Sequence, residues 1–326
     1  MEVRNISQCG KLVNSIVEDI RKTVGEGKLY IAFSGGLDSS VTAALAKIAL
    51  GADKVELVTT RFDFTYPKTI KVVKKFAESL GLKHTFVDGS DWQKQTWKSG
   101  PACNACTRGP KLQSVKAYAD GLVATGADGD DTWGQCGLKN YNGFYSPIFS
   151  LSREEVKMVA DYLELNIEKI GESAGREGCM LKHLLKMMVV PSFHGAAVYK
   201  SNALLMSAIE KLDLDFSVAN VKIIGPLSKN IALINLKPIP PNSFIEKLKR
   251  VLSEIEEIHS VEVIDAPVKL EIIANPGIYN NEKSRHWIEK GRLAPDFAMP
   301  ISVKWQISRN NRLATFQVIG YEIFRS

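Results

Sequence analysis

The spacing of hydrophobic positions predicts a regular alternation of strands and helices over the first half of the chain. Apolar residues recur at helical spacing between residues 8 and 24, which predicts an amphipathic first helix. Short apolar runs predict five buried strands, at 29–33, 54–62, 83–87, 121–126 and 144–149. Helical spacing predicts the intervening helices, after residue 36 and at 69–80, 107–119 and 152–163.

Strands and helices that alternate with short connections predict an α/β fold with a doubly wound parallel sheet. In such a sheet the ligand lies beyond the carboxyl ends of the strands. Residues 180–212 have a helical pattern interrupted at Pro191, and the elements that follow alternate as β-β-α-β-β. We therefore expect an N-terminal helix at 1–27, an α/β domain at 28–212 and a C-terminal α+β domain at 213–326.

The turn after the first predicted strand, Ser34–Ser40, has the sequence Ser-Gly-Gly-Leu-Asp-Ser-Ser. Its two glycines remove Cβ atoms where the backbone bends, and Ser39 and Ser40 fall in the first turn of the next helix. Unpaired N–H groups and hydroxyls at a helix N-terminus predict a phosphate site. No lysine follows the glycines, unlike in a Walker A loop. The sequence therefore predicts that amides, hydroxyls and a metal ion balance the phosphate charge.

Composition is that of an ordinary globular protein, with 45% hydrophobic and 24% charged residues among 326. The net charge of +6 permits an anionic partner such as RNA without requiring one. No apolar run approaches the roughly 18 residues that a membrane helix needs, and the chain opens without a signal peptide. We therefore expect a cytoplasmic protein with no membrane partner. In that compartment five cysteines, two of them spaced C-x-x-C, favour metal or redox chemistry over disulfides.

Three cysteines are candidate metal ligands because each opens a predicted helix, where the helix dipole stabilises a thiolate. Cys103 and Cys106 form the C-x-x-C, and Cys179 lies in a second glycine-rich stretch. Three cysteines cannot complete a Cys₄ zinc site, so a zinc ion would need a histidine, either His183 or His194. Alternatively, three cysteines can hold a [4Fe-4S] cluster with one iron left open.

The motif Ser-Gly-Gly-x-Asp-Ser resembles the PP-loop of the ATP pyrophosphatase superfamily. That resemblance implies ATP and Mg²⁺ as cofactors, and transfer of AMP to a substrate oxygen with release of pyrophosphate. Asp38 is a candidate catalytic residue, either as a Mg²⁺ ligand or by orienting the loop. Arg61, Gly126 and an acidic turn at 128–131 lie at the ends of other predicted strands, as further candidates for nucleotide or Mg²⁺ binding. The nucleotide-binding residues implied by the motif itself are Ser34, Gly35, Gly36, Asp38, Ser39 and Ser40.

A PP-loop domain with a C-x-x-C in its middle and a lone cysteine far downstream resembles the iron–sulfur-dependent sulfur transferases. These include tRNA thiolation enzymes and relatives of the sacrificial sulfur insertases. The resemblance implies that Cys103, Cys106 and Cys179 bind a [4Fe-4S] cluster whose open iron carries the transferred sulfur. Cys136 follows the fourth predicted strand, either as a catalytic persulfide carrier or as an ordinary loop residue.

We therefore expect an ATP-dependent sulfur transferase that adenylates a substrate oxygen and replaces it with sulfur. Its partners would be sulfide or another sulfur donor and an acceptor, either tRNA or a small molecule, and analogy suggests a homodimer. One alternative is an amide-forming adenylating enzyme in which ammonia replaces sulfide. Others are a reductase related to the adenylyl-sulfate reductases, and a non-catalytic nucleotide- or RNA-binding protein with structural zinc.

Overall fold

A six-stranded, mostly parallel sheet forms the centre of the first half of the protein. The structure, a computed structural model, describes residues 2–131, 136–170, 178–289 and 296–325. The strand order is β3-β2-β1-β4-β6-β5, and only the β5–β6 pair at one edge is antiparallel. The α/β fold class predicted from the sequence is confirmed. The strands are β1 Leu29–Ala32, β2 Val55–Arg61, β3 Lys83–Asp88, β4 Leu122–Ala124, β5 Asn140–Tyr141 and β6 Phe144–Tyr145.

Strand β1 lies where the strand order reverses, with β2 on one side and β4 on the other. This is the topological switch point at which doubly wound sheets bind their ligands. All four residues of β1 are buried, as their uninterrupted apolar run predicts. The helices of this half are α1 Glu2–Val24, α2 Leu37–Leu50, α3 Pro67–Leu80, α4 Ser90–Trp97, α5 Cys103–Cys106, α6 Leu112–Tyr118 and α7 Arg153–Tyr162.

Helix boundaries follow local sequence signals closely. Gly81 ends α3 in the left-handed conformation, with φ of 62°. Ser152 and Glu155 form the predicted capping box at the start of α7. The helix predicted from residue 107 instead begins at Cys103, and it contains a wide π turn at Thr107–Lys111. Pro110 lies inside that turn and has no N–H to donate to an α-helical ladder.

The segment after Cys179 differs from the sequence prediction. A short 3₁₀ turn at Met180–His183 is followed by chain without helix or regular strand to residue 190, and α8, Ala196–Ile209, comes only after a π turn at Pro191–Gly195. The start of this segment is fixed by pairing: the Leu185 N–H donates to the Ile223 carbonyl at 2.9 Å. The helix predicted from the apolar spacing at 180–190 is therefore wrong, because tertiary pairing of the backbone outweighs that local pattern.

Two three-stranded sheets make up most of the second half, in the orders β7-β8-β9 and β11-β10-β12. The Gly225 N–H donates to the Val318 carbonyl and joins the two sheets. Asn202 of α8 bonds both backbone groups of Val221, so α8 packs against the C-terminal sheet. The boundary at residue 213 stays a prediction. These elements are β7 Val218–Ile224, β8 Ile231–Lys237, α9 Asn242–Ser253, β9 Ser260–Val263, β10 Val268–Ala274, α10 Pro276–Tyr279, α11 Glu282–Glu289, β11 Ile301–Ile307 and β12 Phe316–Ile323.

Within the described part of the chain, every helix is too short or too polar to cross a lipid bilayer.

We expect the stability of the folded protein to depend on pH through Lys186, whose side chain is fully buried in the segment that follows Met180–His183. Its ammonium donates to the carbonyls of Pro226 and Lys229, and burial lowers its pKa from 10.5 to about 7. Between these values the unfolded chain binds a proton that the folded chain does not. The free energy of unfolding should therefore rise with pH in this window, by up to about 1.4 kcal/mol per pH unit. Urea unfolding at pH 7, 8 and 9 should give a steeper rise for the wild type than for Lys186→Met. Equal slopes would contradict the assignment.

Candidate functional site

The Ser34–Ser40 loop leaves the carboxyl end of β1 and turns into α2. Gly35 has φ of +75°, and a Cβ there would stand 2.8 Å from Cγ1 of Val73. Only glycine therefore fits this position, on grounds of both backbone conformation and space. Gly36 is the N-cap of α2, and no side chain caps the helix at that position. The first N–H groups of the helix point toward the end of β1 without an intrahelical partner.

Hydroxyl groups line the same turn. The Oγ atoms of Ser34 and Ser39 lie 3.1 Å apart, and Ser39 Oγ also donates to the Gly36 carbonyl at 3.1 Å. The Ser40 side chain is fully buried, and its Oγ makes no hydrogen bond. Hydroxyls, backbone amides and the positive end of α2 thus meet at one point, which is the chemistry of a phosphate site.

One arginine contacts three carboxylates at and beside the loop. Nη1 of Arg153, the first residue of α7, lies 2.7 and 2.9 Å from the two carboxylate oxygens of Asp38. The same nitrogen lies 3.7 Å from Oδ2 of Asp128, a buried side chain beyond β4. The Arg153 N–H also donates to Oδ2 of Asp130. The structure thus places a cation beside a phosphate loop that has no lysine, and sequence reasoning missed it.

Gly126 packs backbone to backbone on the start of α2. A Cβ at this position would stand 2.8 Å from the Ser39 nitrogen and 2.9 Å from the Asp38 carbonyl carbon. This glycine therefore sets how closely the β4 loop approaches the phosphate turn. Arg61 ends β2, one strand away, with an exposed side chain. A direct contact of either residue with nucleotide stays a prediction.

The three predicted ligand cysteines converge at the carboxyl end of β2. Nε2 of Gln93 lies 3.6 Å from Sγ of Cys106 and 3.4 Å from Sγ of Cys179. Cys179 also pairs with Thr65, just beyond β2. Burial raises the pKa of Cys179 to about 12, and the neighbouring Cys106 and Cys103 add to the rise. Cys106 is buried and Cys103 exposed, so the group opens to solvent on one side.

This arrangement does not make a site for a single metal ion. In the ranges that the structure describes, no three His, Cys, Asp or Glu side chains are placed to ligate one ion. His183 is engaged on both ring nitrogens, with the Tyr66 hydroxyl at 3.2 Å and Lys222 Nζ at 3.3 Å. His194 is likewise engaged, with the Val190 N–H and the Leu227 carbonyl. The hypothesis of a histidine as the fourth zinc ligand is therefore wrong for both residues. Three neighbouring thiols remain, and binding of a cluster by them stays a prediction.

Cys136 lies on the exposed loop before β5. Residues 132–135, which precede it, and 171–177, which precede Cys179, lie outside the described residues. None of the described contacts brings the Cys136 sulfur to the other cysteines, and its role stays a prediction.

We expect a charge at position 93 to lower the stability of the protein strongly, because the Gln93 side chain is fully buried and its Oε1 makes no hydrogen bond. Gln93→Glu buries a carboxylate between two sulfurs, and we expect a loss of about 3 kcal/mol or more in the free energy of unfolding. Gln93→Leu removes only the weak donor, with an expected loss of about 1 kcal/mol. Gln113→Glu, at an exposed position on α6, is the control and should change stability by less than about 0.5 kcal/mol. Urea unfolding measures all three, and equal losses in the two Gln93 variants would contradict the contact.

Known proteins are similar to part of this chain, which includes the Ser34–Ser40 loop. The family model described as NAD synthase matches residues 9–101. The NH(3)-dependent NAD(+) synthetase of Methanocaldococcus jannaschii is 40% identical over 84 residues, which are 25% of this chain and 32% of that protein. Residues 9–101, which the family model matches, contain strand β1, the Ser34–Ser40 turn and helix α2. This segment is a PP-loop domain of the ATP pyrophosphatase superfamily.

Two further relatives match this chain over a similar length. The glutamine-hydrolyzing GMP synthase of Aquifex aeolicus is 39% identical over 84 residues, 26% of this chain and 16% of that protein. One subunit of the glutamine-hydrolyzing GMP synthase of Thermococcus kodakarensis is 43% identical over 76 residues, 23% of this chain and 24% of that protein. The matched segment thus spans a third or less of each relative. The family model ends at residue 101, before Cys103, so it covers neither the cysteine group nor the C-terminal sheets.

Proposed function

We propose that the chain is an ATP-dependent adenylating enzyme. A substrate oxygen attacks the α-phosphorus, a bond forms between them, and the bond from the α-phosphorus to the bridging oxygen breaks so that pyrophosphate leaves. The observation that carries this proposal is the Ser34–Ser40 turn at the switch point of the sheet, with Arg153 and Asp38 beside it. Its amides and hydroxyls are fixed before the nucleotide arrives, so they can stabilise the charge that develops on the leaving phosphates.

The charges around the turn have separate tasks. Asp38 and Asp128 are the carboxylates that would hold Mg²⁺, whose chemistry here is neutralisation of the phosphate oxygens. Arg153 supplies a permanent cation, and a guanidinium binds phosphate oxygens in a planar, two-pronged geometry. In the structure this arginine holds both oxygens of Asp38. Both contacts use Nη1 alone, so the N–H groups of Nη2 and Nε are the ones that would meet a phosphate.

The nucleophile that displaces AMP defines the rest of the reaction. The names of the relatives, an ammonia-dependent synthetase and glutamine-hydrolyzing synthases, support ammonia as the nucleophile and hence an amide-forming enzyme. In that form of the proposal, ammonia attacks the adenylated carbon, the carbon–oxygen bond to AMP breaks, and the nitrogen loses a proton. The acceptor is then a carboxylate or a carbonyl that can tautomerise to an oxygen nucleophile.

A second candidate nucleophile is sulfur, and one specific observation favours it. The thiols of Cys106 and Cys179 meet at Gln93 near the end of β2, the strand next to that which carries the PP-loop, and Cys103 lies one helical turn before Cys106. An amide-forming reaction has no use for them, and they lie outside the segment matched by the family model. A [4Fe-4S] cluster bound there would supply a Lewis-acidic iron able to hold sulfide. Cys103, Cys106 and Cys179 would hold the cluster, and the exposed side at Cys103 would admit the acceptor.

The test compares the two nucleophiles in one assay. Protein purified without oxygen is analysed for iron and acid-labile sulfide, then given Mg²⁺-ATP with ammonium or with sulfide and a panel of carboxylates and bulk tRNA. Release of AMP and pyrophosphate is followed for the wild type and for Cys103→Ser, Cys106→Ser and Cys179→Ser, with Cys9→Ser on α1 as the control. AMP release that depends on ammonium and is retained in all variants supports a nitrogen nucleophile. Sulfide-dependent release lost with each site cysteine supports sulfur, and no AMP release in any combination overturns the adenylation proposal.

The acceptor class has its own signature in the same assay. A tRNA acceptor is held by its phosphates, so its binding should weaken steeply as salt increases. A small carboxylate should show only a slight salt dependence.

A further inference from the structure

The chain just before the C-x-x-C has little structure of its own. Five residues, 98–102, connect the end of α4 to Cys103, and the glycine among them, Gly100, has φ of +112°. The first contact that holds this connection is local: the Gly100 N–H donates to the Trp97 carbonyl at 3.0 Å. Lys98 and Ala102 at its two ends also bond locally, to α4 and to Cys106, and further contacts come from the far end of the chain.

The turn between β11 and β12, residues 308–315, binds this connection. The Ala314 N–H donates to the Ser99 carbonyl at 2.5 Å, and the Thr315 hydroxyl donates to the Pro101 carbonyl. Leu313 is buried against Gly100, where a Cβ would stand 3.1 Å from Cδ1 of Leu313. Two hydrogen bonds and one close apolar contact thus fix three consecutive residues, and we name residues 313–315 the clip.

The same C-terminal sheets hold the segment that follows Cys179. Leu185 accepts the Val318 N–H at 2.8 Å and donates its own N–H to Ile223, so it bridges β12 and β7. Three residues later the Met188 N–H donates to the Trp97 carbonyl at 3.1 Å, which ties the two cysteine-bearing segments to each other. Strand β12 and the clip are continuous chain, so one piece of the C-terminal half reaches both segments.

We infer that the C-terminal half positions the cysteine group, and that Thr315 and Leu313 of the clip are positioning residues for Cys103 and Cys106. The described contacts of the PP-loop come instead from the first half of the chain, from β1, α2, α3, the β4 loop, α7 and Ile170. Loss of the clip should therefore change the spacing of the thiols and leave nucleotide binding as it was. The inference concerns the geometry of the thiols alone, so it stands or falls independently of which nucleophile, if any, the enzyme uses.

The experiment measures thiol spacing directly in the full-length, nucleotide-free protein after removal of any bound iron or zinc. The short bifunctional reagent dibromobimane bridges neighbouring thiols, and peptide mass spectrometry then quantifies the bridge from Cys179 to Cys103 or Cys106. Thr315→Val removes the donor and keeps the shape of the side chain. Ser253→Ala is the matched control, since it removes a hydroxyl-to-carbonyl bond of the same kind within α9. Urea unfolding and binding of a fluorescent ATP analogue are measured on each variant.

In Thr315→Val we expect the yield of the bridge to fall about fivefold, the change in population that corresponds to one hydrogen bond. Leu313→Ala should lower it further, while affinity for the ATP analogue stays at the wild-type value in both. A bridge yield in Thr315→Val equal to that in Ser253→Ala overturns the inference. So does a fall in analogue affinity that parallels the fall in bridge yield, because the clip would then support the whole fold. If Leu313→Ala fails to fold, the comparison of Thr315→Val with Ser253→Ala decides alone.

Discussion

Asp38→Asn should reduce ATP-dependent pyrophosphate release by about 100-fold, the scale observed when one preorganised polar group of an active site is removed. The substitution keeps the size of the side chain and removes the charge that faces Arg153. It also removes one of the two carboxylates available to Mg²⁺ beside the turn. Because the Arg153 side chain is 41% exposed, the ion pair adds little to stability, and the free energy of unfolding should change by less than about 1 kcal/mol. Steady-state pyrophosphate release and urea unfolding measure the two effects.

Two variants make this result specific. Glu154→Gln removes a carboxylate from an exposed position next to Arg153 on the same helix, and it should leave pyrophosphate release unchanged. Arg153→Met should lower the affinity for Mg²⁺-ATP, and in combination with Asp38→Asn it should cost less than the product of the two single effects. An Asp38→Asn enzyme with wild-type pyrophosphate release would show that neither Mg²⁺ nor Arg153 needs this carboxylate.

Gly126→Ala should also reduce pyrophosphate release by about 100-fold, because a displacement of about 1 Å at a reacting centre has that effect. Its new methyl group would meet the backbone of Asp38 and Ser39 at 2.9 and 2.8 Å, and backbone cannot rotate away as a side chain can. The start of α2 must therefore move, and the amides and hydroxyls of the PP-loop move with it. Overpacking of this kind should also lower the free energy of unfolding by about 1–3 kcal/mol.

Gly27→Ala is the control for this substitution. Gly27 lies in the turn before β1, and a Cβ there would meet only the Val24 carbonyl, at 3.3 Å. Binding of a fluorescent ATP analogue and pyrophosphate release should be close to wild type in this control. Equal behaviour of the two alanine variants would mean that the β4 loop does not set the geometry of the phosphate turn.

Local signals predicted the parts of the fold and site that depend on neighbours in sequence. The glycines and serines of the 34–40 turn indicated both a sharp bend and a helix start, and the capping box at Ser152 located α7. The sequence pattern could not predict which residues distant in sequence contact each other. Arg153 is 115 residues from Asp38, and its place at the first position of a capped helix says nothing of which carboxylate it meets.

The remaining differences between the sequence predictions and the structure also arise from contacts between residues distant in sequence. The chain from residue 184 to 190 carries a helical spacing of leucines and methionines, yet it is not a helix, because β7 and β12 offer backbone partners to Leu184 and Leu185. Gln93 lies in an ordinary helical turn, and only the fold brings it between two sulfurs from other segments. Conversely, the cysteine group was predicted from residue type and helix position; the structure brings Cys106 and Cys179 to Gln93, Cys179 precedes only a short 3₁₀ turn, and metal binding stays a prediction.

The clip has a consequence for the order of events as the chain is made. Thr315 bonds a carbonyl 214 residues away, whereas the sheet and helices around the PP-loop are complete by residue 162. Contacts between distant residues form late, since their loop-closure entropy must be overcome first. On a ribosome we therefore expect the nucleotide site to assemble before the clip forms. If the clip positions the thiols as inferred above, their final spacing would be reached only when the last strand arrives.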